Sequence, residues 1–205
     1  MHDSADTDVA RPGRPRRADV EAAINAAVRE VLCEAGYAAL TYELVATRAG
    51  TSRPALYRRA ATKAQLVVNA LVASYGLAPV PDTGSIETDL LELQRAQLRL
   101  YNDPVIGASL PGLLLDIRTN SEARDVWVGG FVRPRRDGVM AAVARAIHRG
   151  ELVDDTDAQW VCDILTGPII STAFLTGKTH LPDNLAAETV ALVLCRFQTP
   201  LEAQP

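Results

Sequence analysis

Apolar residues recur at helical spacing along almost the whole chain. Val20, Ala23, Ile24, Ala27, Val28, Val31, Leu32 and Ala35 fall mostly three or four apart, the period of one buried helix face. This predicts a helix from about residue 18 to 35, closed by Gly36. Shorter apolar-periodic runs open at Thr41 and Thr62, both residue types that cap helix N-termini. The stretch Gly36–Leu66 therefore reads as a short helix, a break at Ala49-Gly50-Thr51-Ser52, a second short helix over Arg53–Ala60, and a further helix from about Lys63 to Leu77. Beyond Pro79-Val80-Pro81, the strongest boundary signal, helices are predicted at about 86–101, 104–118, 121–149, 157–176 and 184–197. Pro111 and Pro134 are expected to kink or split their segments, and Gly129-Gly130 to weaken the long one. Strand-period alternation is almost absent. The predicted fold is all-α with about nine helices.

Short helix, glycine-containing turn and short basic helix form the outline of a DNA-reading helix-turn-helix. The formal net charge of −4 argues against a polyanionic partner if taken whole. Charge is unevenly distributed, however: residues 11–63 hold ten Lys+Arg against five Asp+Glu, and residues 64–205 hold eleven against seventeen. A basic amino-terminal module thus joins an acidic remainder, as expected when one face meets a polyanion. Upstream, Arg11-Pro12-Gly13-Arg14-Pro15-Arg16-Arg17 is too rich in Pro and Gly to form a helix. Guanidinium groups on such an arm, Arg14 and Arg16 among them, suit a narrow A/T-rich minor groove.

On the second short helix, Leu56 is the one large aliphatic side chain and is expected against Leu44, Val45 and the first helix. Arg53, Pro54, Ala55, Tyr57, Arg58 and Arg59 make up most of the rest. Arginine can grip guanine O6 and N7 bidentately, and Pro or Ala can touch a thymine methyl. Tyr57, Arg59 and Lys63 are placed as phosphate contacts, which set register without reading sequence.

Other chemistries leave no trace in the chain. It contains no Ser/His/Asp grouping, P-loop or dinucleotide fingerprint, so an enzyme is not expected and neither is a cofactor. His2, His148 and His180 are scattered and show no metal-ligand spacing. Three cysteines, Cys33, Cys162 and Cys195, fit no disulfide framework and read as reduced, buried thiols of a cytoplasmic protein. The first ten residues carry three Asp, unlike a secretory signal. The apolar stretch near Ile164–Leu175 is interrupted by polar residues and a Gly-Pro pair, so no membrane span is predicted.

Gly36-Tyr37, Thr41, Val45-Ala46-Thr47-Arg48-Ala49-Gly50-Thr51-Ser52, Leu56-Tyr57-Arg58-Arg59, Lys63 and Leu66 resemble the amino-terminal signature of TetR-family transcriptional regulators. The likeness covers about residues 18–70. The remainder resembles actinobacterial-type members in helix count, length and the segments Phe131-Val132-Arg133-Pro134-Arg135-Arg136 and Leu165-Thr166-Gly167-Pro168. The resemblance implies a flexible basic arm at 1–17, a DNA-binding domain at 18–62, a connecting helix and linker at 63–81, and a ligand-binding and dimerising domain at 82–205. It puts Arg53, Pro54, Ala55, Tyr57 and Arg58 at bases or nearby backbone, and Thr41, Tyr42, Arg59 and Lys63 at phosphates. Two positions depart from the family pattern: Ala60 stands where an aromatic residue is usual, and Thr51 replaces Val at the turn.

The function implied is a homodimeric repressor, released from a palindromic operator in double-stranded DNA by a small apolar effector. A ligand-independent regulator or activator is the alternative. Apolar residues cover nearly every face between Trp160 and Leu175, so the last two helices are the expected dimer interface. An effector pocket would be apolar with a few polar anchors. Trp127, Phe131, Met140, Trp160 and Phe174 are its candidate walls, with His148 or Arg118 as anchors.

Overall fold

A computed structural model describes residues 17–76, 79–176, 178 and 180–200. Among these, ten α-helices follow one another: α1 (Arg17–Ala39), α2 (Tyr42–Arg48), α3 (Arg53–Tyr57), α4 (Lys63–Tyr75), α5 (Ile86–Tyr101), α6 (Pro104–Thr119), α7 (Ser121–Trp127), α8 (Arg133–His148), α9 (Ala158–Leu175) and α10 (Asn184–Phe197). A five-residue π-helical turn, Val128–Val132, joins α7 to α8 without a break. The predicted 121–149 helix is therefore one helical run with its irregularity at Gly129-Gly130. One isolated antiparallel bridge, Leu152 with Gln198, is the sole β pairing among the described residues.

Local chemistry sets most boundaries. Thr41, Ser52, Thr62, Ser85, Asp103, Asn120 and Asp157 each accept a backbone N–H bond at a helix start, satisfying donors that have no partner within the helix. The first helix differs from expectation at its end. Its backbone turns non-helical at Gly36 (φ 75°), yet a last turn carries on to Ala39. α6 also runs unbroken through Pro111, which sits on the exposed side of the helix. Of the three cysteines only Cys162 is buried; Cys33 and Cys195 are exposed, because each lies on the outer face of its helix and not on the apolar stripe.

Two large cores, with a small cluster around Leu98, Ile169 and Leu181, hold the molecule together. One is shared by α1, α2, α3, α4, α6, α7 and the π turn, with Val28, Leu32, Leu56, Leu71, Leu113 and Phe131 among its members. The other lies between α5, α8, α9 and α10, around Leu90, Val143, Leu165 and Val193. The amino-terminal helices thus do not form a free unit: α6 lies along α1, and α7 against α4. α9 is long and apolar enough to cross a membrane by those two criteria alone. Here its Val161, Cys162, Leu165 and Ile169 are buried, and it packs on α8 and α10.

Candidate nucleic-acid interface

The reader begins with a three-helix corner. Ala49 ends α2, Gly50 takes a left-handed conformation (φ 61°) and Thr51 N donates to Ala46 O at 3.0 Å, so the chain reverses within a few residues. Only glycine adopts that conformation at little cost. α3 is five residues long, too short to be stable alone, and depends on its anchors. Leu56 is fully buried and Ala55 nearly so; truncating a buried leucine typically costs about 2–5 kcal/mol. Tyr42 and Tyr57 stack at 4.2 Å between ring centroids and 11° between planes, and Tyr42 Oη donates to Ala60 O at 2.9 Å. This brace joins α2 to the carboxy-terminal end of the reader and occupies the neighbourhood of Ala60, itself buried, where an aromatic residue is usual in the family pattern.

What remains outside is polar and basic. The Arg53 side chain is 54% exposed and pairs with Glu43 of α2 at 3.2 Å. Tyr57 is 47% exposed through its other face, and Pro54 and Arg58 are exposed beside it. The Arg58 side chain makes no hydrogen bond or ion pair among the described residues, so its guanidinium stands ready for an anion. Arg59 Nη1 donates back to Ala55 O at 2.9 Å. Arg48, one turn before the corner, is held by Glu34 at 2.5 Å.

The sites predicted as phosphate contacts are occupied in different ways. Thr41 Oγ1 accepts from Leu44 N at 3.2 Å, which leaves its own proton available. Tyr42 has one hydroxyl proton and directs it at Ala60. Lys63 Nζ lies 4.3 Å above the Tyr37 ring and donates to Ala38 O at 3.4 Å. Burial holds its ammonium below the ordinary lysine range, against the pull of Asp116. Arg14 and Arg16 lie outside the described residues.

Tyr37 links this face to the rest of the molecule. Its ring is buried in the amino-terminal core, its hydroxyl donates to Asp116 Oδ2 of α6 at 2.6 Å, and burial together with that bond raises its phenol well above the usual tyrosine range. A second tie runs from Arg29 of α1 to Tyr75 Oη at 3.2 Å and to Asp103 Oδ2 at 3.3 Å. One guanidinium therefore holds the end of α4 and the start of α6. Glu43 and Asp116 were not singled out from the sequence, where a carboxylate on a helix surface carries no sign of its partner, and Tyr37 figured there only as part of the family signature.

A half-enclosed cavity of about 680 Å³ lies between α4, α5, the π turn, α8 and α9. Trp127 and Phe131, stacked at 4.4 Å, form part of its wall. The other five pocket candidates do not line it. Trp160 is 55% exposed on α9, His148 faces a shallow depression beside Asp82 and Arg149, and Arg118 is exposed on α6. Phe174 meets Tyr101 edge-on from behind the wall, and Met140 accepts a contact from Gln159 on the outer side. Arg135 and Tyr101, which the sequence reading passed over, do line the cavity. No group of three or more His, Cys, Asp or Glu suited to a metal occurs among the described residues.

A short basic helix braced at a glycine corner, on a helical body with an internal cavity, defines a helix-turn-helix regulator. The comparisons agree. Residues 24–70 match the family model for bacterial regulatory proteins of the tetR family, and residues 80–193 match the tetracyclin repressor-like C-terminal domain. The chain belongs to the TetR family of transcriptional regulators and is not an enzyme. It is 30% identical to the HTH-type transcriptional regulator AqdR of Rhodococcus erythropolis, over 80% of this chain and 78% of that one. It is also 30% identical to the DNA-binding transcriptional repressor TetR of Mycobacteroides abscessus, over 70% of this chain and 76% of that one. Among solved structures, the TetR-family transcription regulator SCO0332 superimposes with a TM-score of 0.69 at 25% identity, covering 86% of this chain and 97% of that one.

Proposed function

We propose that this regulator is a homodimeric repressor that leaves a palindromic operator when a small effector fills the cavity. The observation that carries the DNA-reading part is the outward row of α3: Arg53, Pro54, Tyr57 and Arg58 are exposed together on a helix locked from behind by Leu56 and the Tyr42–Tyr57 stack. Arg53 and Arg58 read bases in the major groove, with Pro54 and Ala55 beside them. Thr41, Tyr42, Tyr57, Arg59 and Lys63 bear on the phosphates, and Arg14 and Arg16 reach the minor groove. In this reading residues 18–62 bind DNA, 63–81 connect, and 82–205 bind the effector and the second copy.

A palindrome requires readers roughly 34–36 Å apart, one helical turn of DNA. The last two helices are the surface we assign to the dimer. Trp160 and Leu175 on α9 are 55% and 80% exposed and Leu192 on α10 is 56% exposed, apolar side chains that a second copy would cover. The cavity favours an effector over a ligand-independent regulator, since a continuously packed bundle would have left no room for one. The printed name of the Mycobacteroides abscessus relative, a repressor, supports repression over activation. Occupancy would shift the population toward a spacing of readers that no longer fits successive major grooves, within the cytoplasm where operator and effector meet.

The test is binding to the DNA upstream of its own coding sequence, measured against random DNA of equal length at about 0.15 M salt, where specific complexes are typically at least about a thousandfold tighter than non-specific ones. Equal affinities for the two DNAs would end the repressor reading.

A further inference from the structure

The cavity contains a positive charge that the fold leaves unmatched. Of the three arginines that line it, Arg136 has a carboxylate among the described residues, Asp163 at 2.6 Å, and Arg99 is exposed at the rim. Arg135 has none. Its guanidinium lies 3.7 Å over the Phe131 ring and donates to two neutral carbonyls, Phe131 O at 3.0 Å and Gly76 O at 3.1 Å. A guanidinium carries five N–H donors, so three are left without a protein acceptor among the described residues. Asp137 and Arg99 are also on the cavity rim, but both are exposed and neither pairs with Arg135.

A second polar group on the same wall is also unsatisfied. Tyr101 packs edge-on against Phe174 with centroids 6.4 Å apart, and its hydroxyl has no hydrogen-bond partner among the described residues. Burial pushes this phenol up to about 12, so it remains a proton donor throughout the neutral range. Burial likewise lowers the Arg135 pKa, with Tyr101 opposing. Around these two donors the wall is mostly apolar, with Leu93, Leu100, Trp127 and Leu165, and its Gln97 donates to Thr166 at 3.3 Å. The cation and the hydroxyl are both half-buried in a largely apolar chamber, where an anion would receive one charge-assisted and one neutral hydrogen bond. The Gly76 contact at the end of α4 accounts for one N–H of Arg135 through its helix terminus, and it explains neither the free donors nor Tyr101.

We propose that the cavity takes an amphipathic anion, an apolar body carrying one carboxylate, with the carboxylate held by Arg135 and Tyr101 and the body lying against Trp127 and Phe131. The proposal rests on the effector reading above and names the chemistry of that effector. The anion would be seated next to Gly76, the residue that ends α4, a helix that starts at the edge of the reader.

Calorimetric titration of the unmodified protein with 4-phenylbutanoate, 4-phenyl-1-butanol and 4-phenylbutylammonium tests this. The three share one apolar body and differ in the charge at its end. The acid is expected to bind about tenfold or more tighter than the alcohol, as a charge-assisted pair does, with the ammonium weakest. Arg135→Gln should bring the acid to within about twofold of the alcohol, Arg135→Lys should keep a preference for the acid, and Tyr101→Phe should reduce it severalfold. An acid no better than the alcohol, binding of none of the three, or a full acid preference in Arg135→Gln overturns the proposal. If Arg135→Gln does not fold, the preference in the unmodified protein and in Arg135→Lys decides. Upstream-DNA binding by the same preparation is measured alongside. A protein that recognises its DNA but ignores the charge of the probe loses only the ligand class, whereas one that prefers the acid but not its DNA loses only the repressor reading.

Discussion

Tyr37 Oη and Asp116 Oδ2 are 2.6 Å apart, a hydrogen bond between the last turn of α1 and the second half of α6. The approach is possible because Gly112, one helical turn before Asp116, has no side chain: a Cβ built there would stand 2.6–2.8 Å from Tyr37 ring and Cβ atoms. Lys63 closes the other side of the ring. α1 and α6 therefore meet at a tightly fitted aromatic ring.

Gly112→Ala puts a methyl group into that ring, and Tyr37 cannot retreat because it is buried on its remaining sides. Alanine favours a helix by about 0.5–1 kcal/mol over glycine, but forcing atoms into a filled core typically costs about 1–3 kcal/mol. Overpacking should win. The melting temperature is expected to fall by roughly 2–8 °C for a chain of this size, as measured by calorimetry or circular dichroism. An unchanged or higher melting temperature would show that α6 moves off Tyr37 freely, and with it that this contact does not tie the two parts.

Arg53, proposed above to read a base, is paired with Glu43 at 3.2 Å. Exposed pairs of this kind are weak, and the carboxylate repels phosphate while it holds the guanidinium. Glu43→Gln is expected to tighten binding to specific and random DNA alike, by about two- to fivefold at low salt. Arg53→Ala should weaken specific binding by about ten- to a hundredfold and relax base preference. Gel-shift titrations with both DNAs separate the two effects. Weaker specific binding in Glu43→Gln would recast Glu43 as the group that aims Arg53.

Tyr42 and Tyr57 give a sharper test of how the reader is held. Tyr42→Phe keeps the stacked rings at 4.2 Å and deletes only the proton given to Ala60 O. Its expected cost is about 0.5–1.5 kcal/mol of stability. A phosphate contact made by that hydroxyl would add a uniform loss for all DNA sequences and a less steep salt dependence. Tyr57→Ala removes the stack itself, and α3, only five residues long, should lose specific binding by more than tenfold while the body of the protein melts within a few degrees of the parent. Near-parental operator binding by Tyr57→Ala would mean that Leu56 alone is enough to hold the reader.

Much of this architecture is legible in the sequence because it is written in local chemistry. Thr41 and Thr62 cap the helices they were expected to open, and the Gly129-Gly130 weakness became a π turn, since caps and glycines act within one helical turn. Residues that matter through a distant neighbour are another matter. Arg135 reads as one more charge in the run Arg133-Pro134-Arg135-Arg136, and only the register of α8 after the π turn brings it over Phe131, four positions before it. That spacing, an aromatic and an arginine on the same helix face, was the one available signal. Trp160 shows the converse. A helix apolar on nearly every face gives no indication of which side its neighbours will cover, and the neighbours of α9 cover Val161, Cys162 and Leu165 and leave Trp160 outside.

Alkaline titration probes the same contacts as a set. Burial raises Tyr42, Tyr75 and Tyr101 to about 12, and Tyr37 higher still with the help of Asp116, from an ordinary value of 10.0. The unfolded chain releases these protons first. The stability they contribute is therefore fully present below about pH 10 and is lost as the pH rises through the folded values. Lys63 works the other way: burial lowers its pKa from 10.5, so between its folded value and 10.5 the unfolded chain binds more protons and stability rises with pH. Four tyrosines outweigh one lysine, so the urea midpoint should fall steadily between pH 10 and 12. Absorbance at about 295 nm should show four of the five tyrosines ionising later in the folded protein than in urea. Tyr101→Phe should remove one of the late groups and make the fall in midpoint shallower, and Lys63→Met should make it start earlier. Phenols that ionise together near pH 10 in the folded protein would show that these rings are open to solvent, and the packing of Tyr37 against α6 would have to be redrawn.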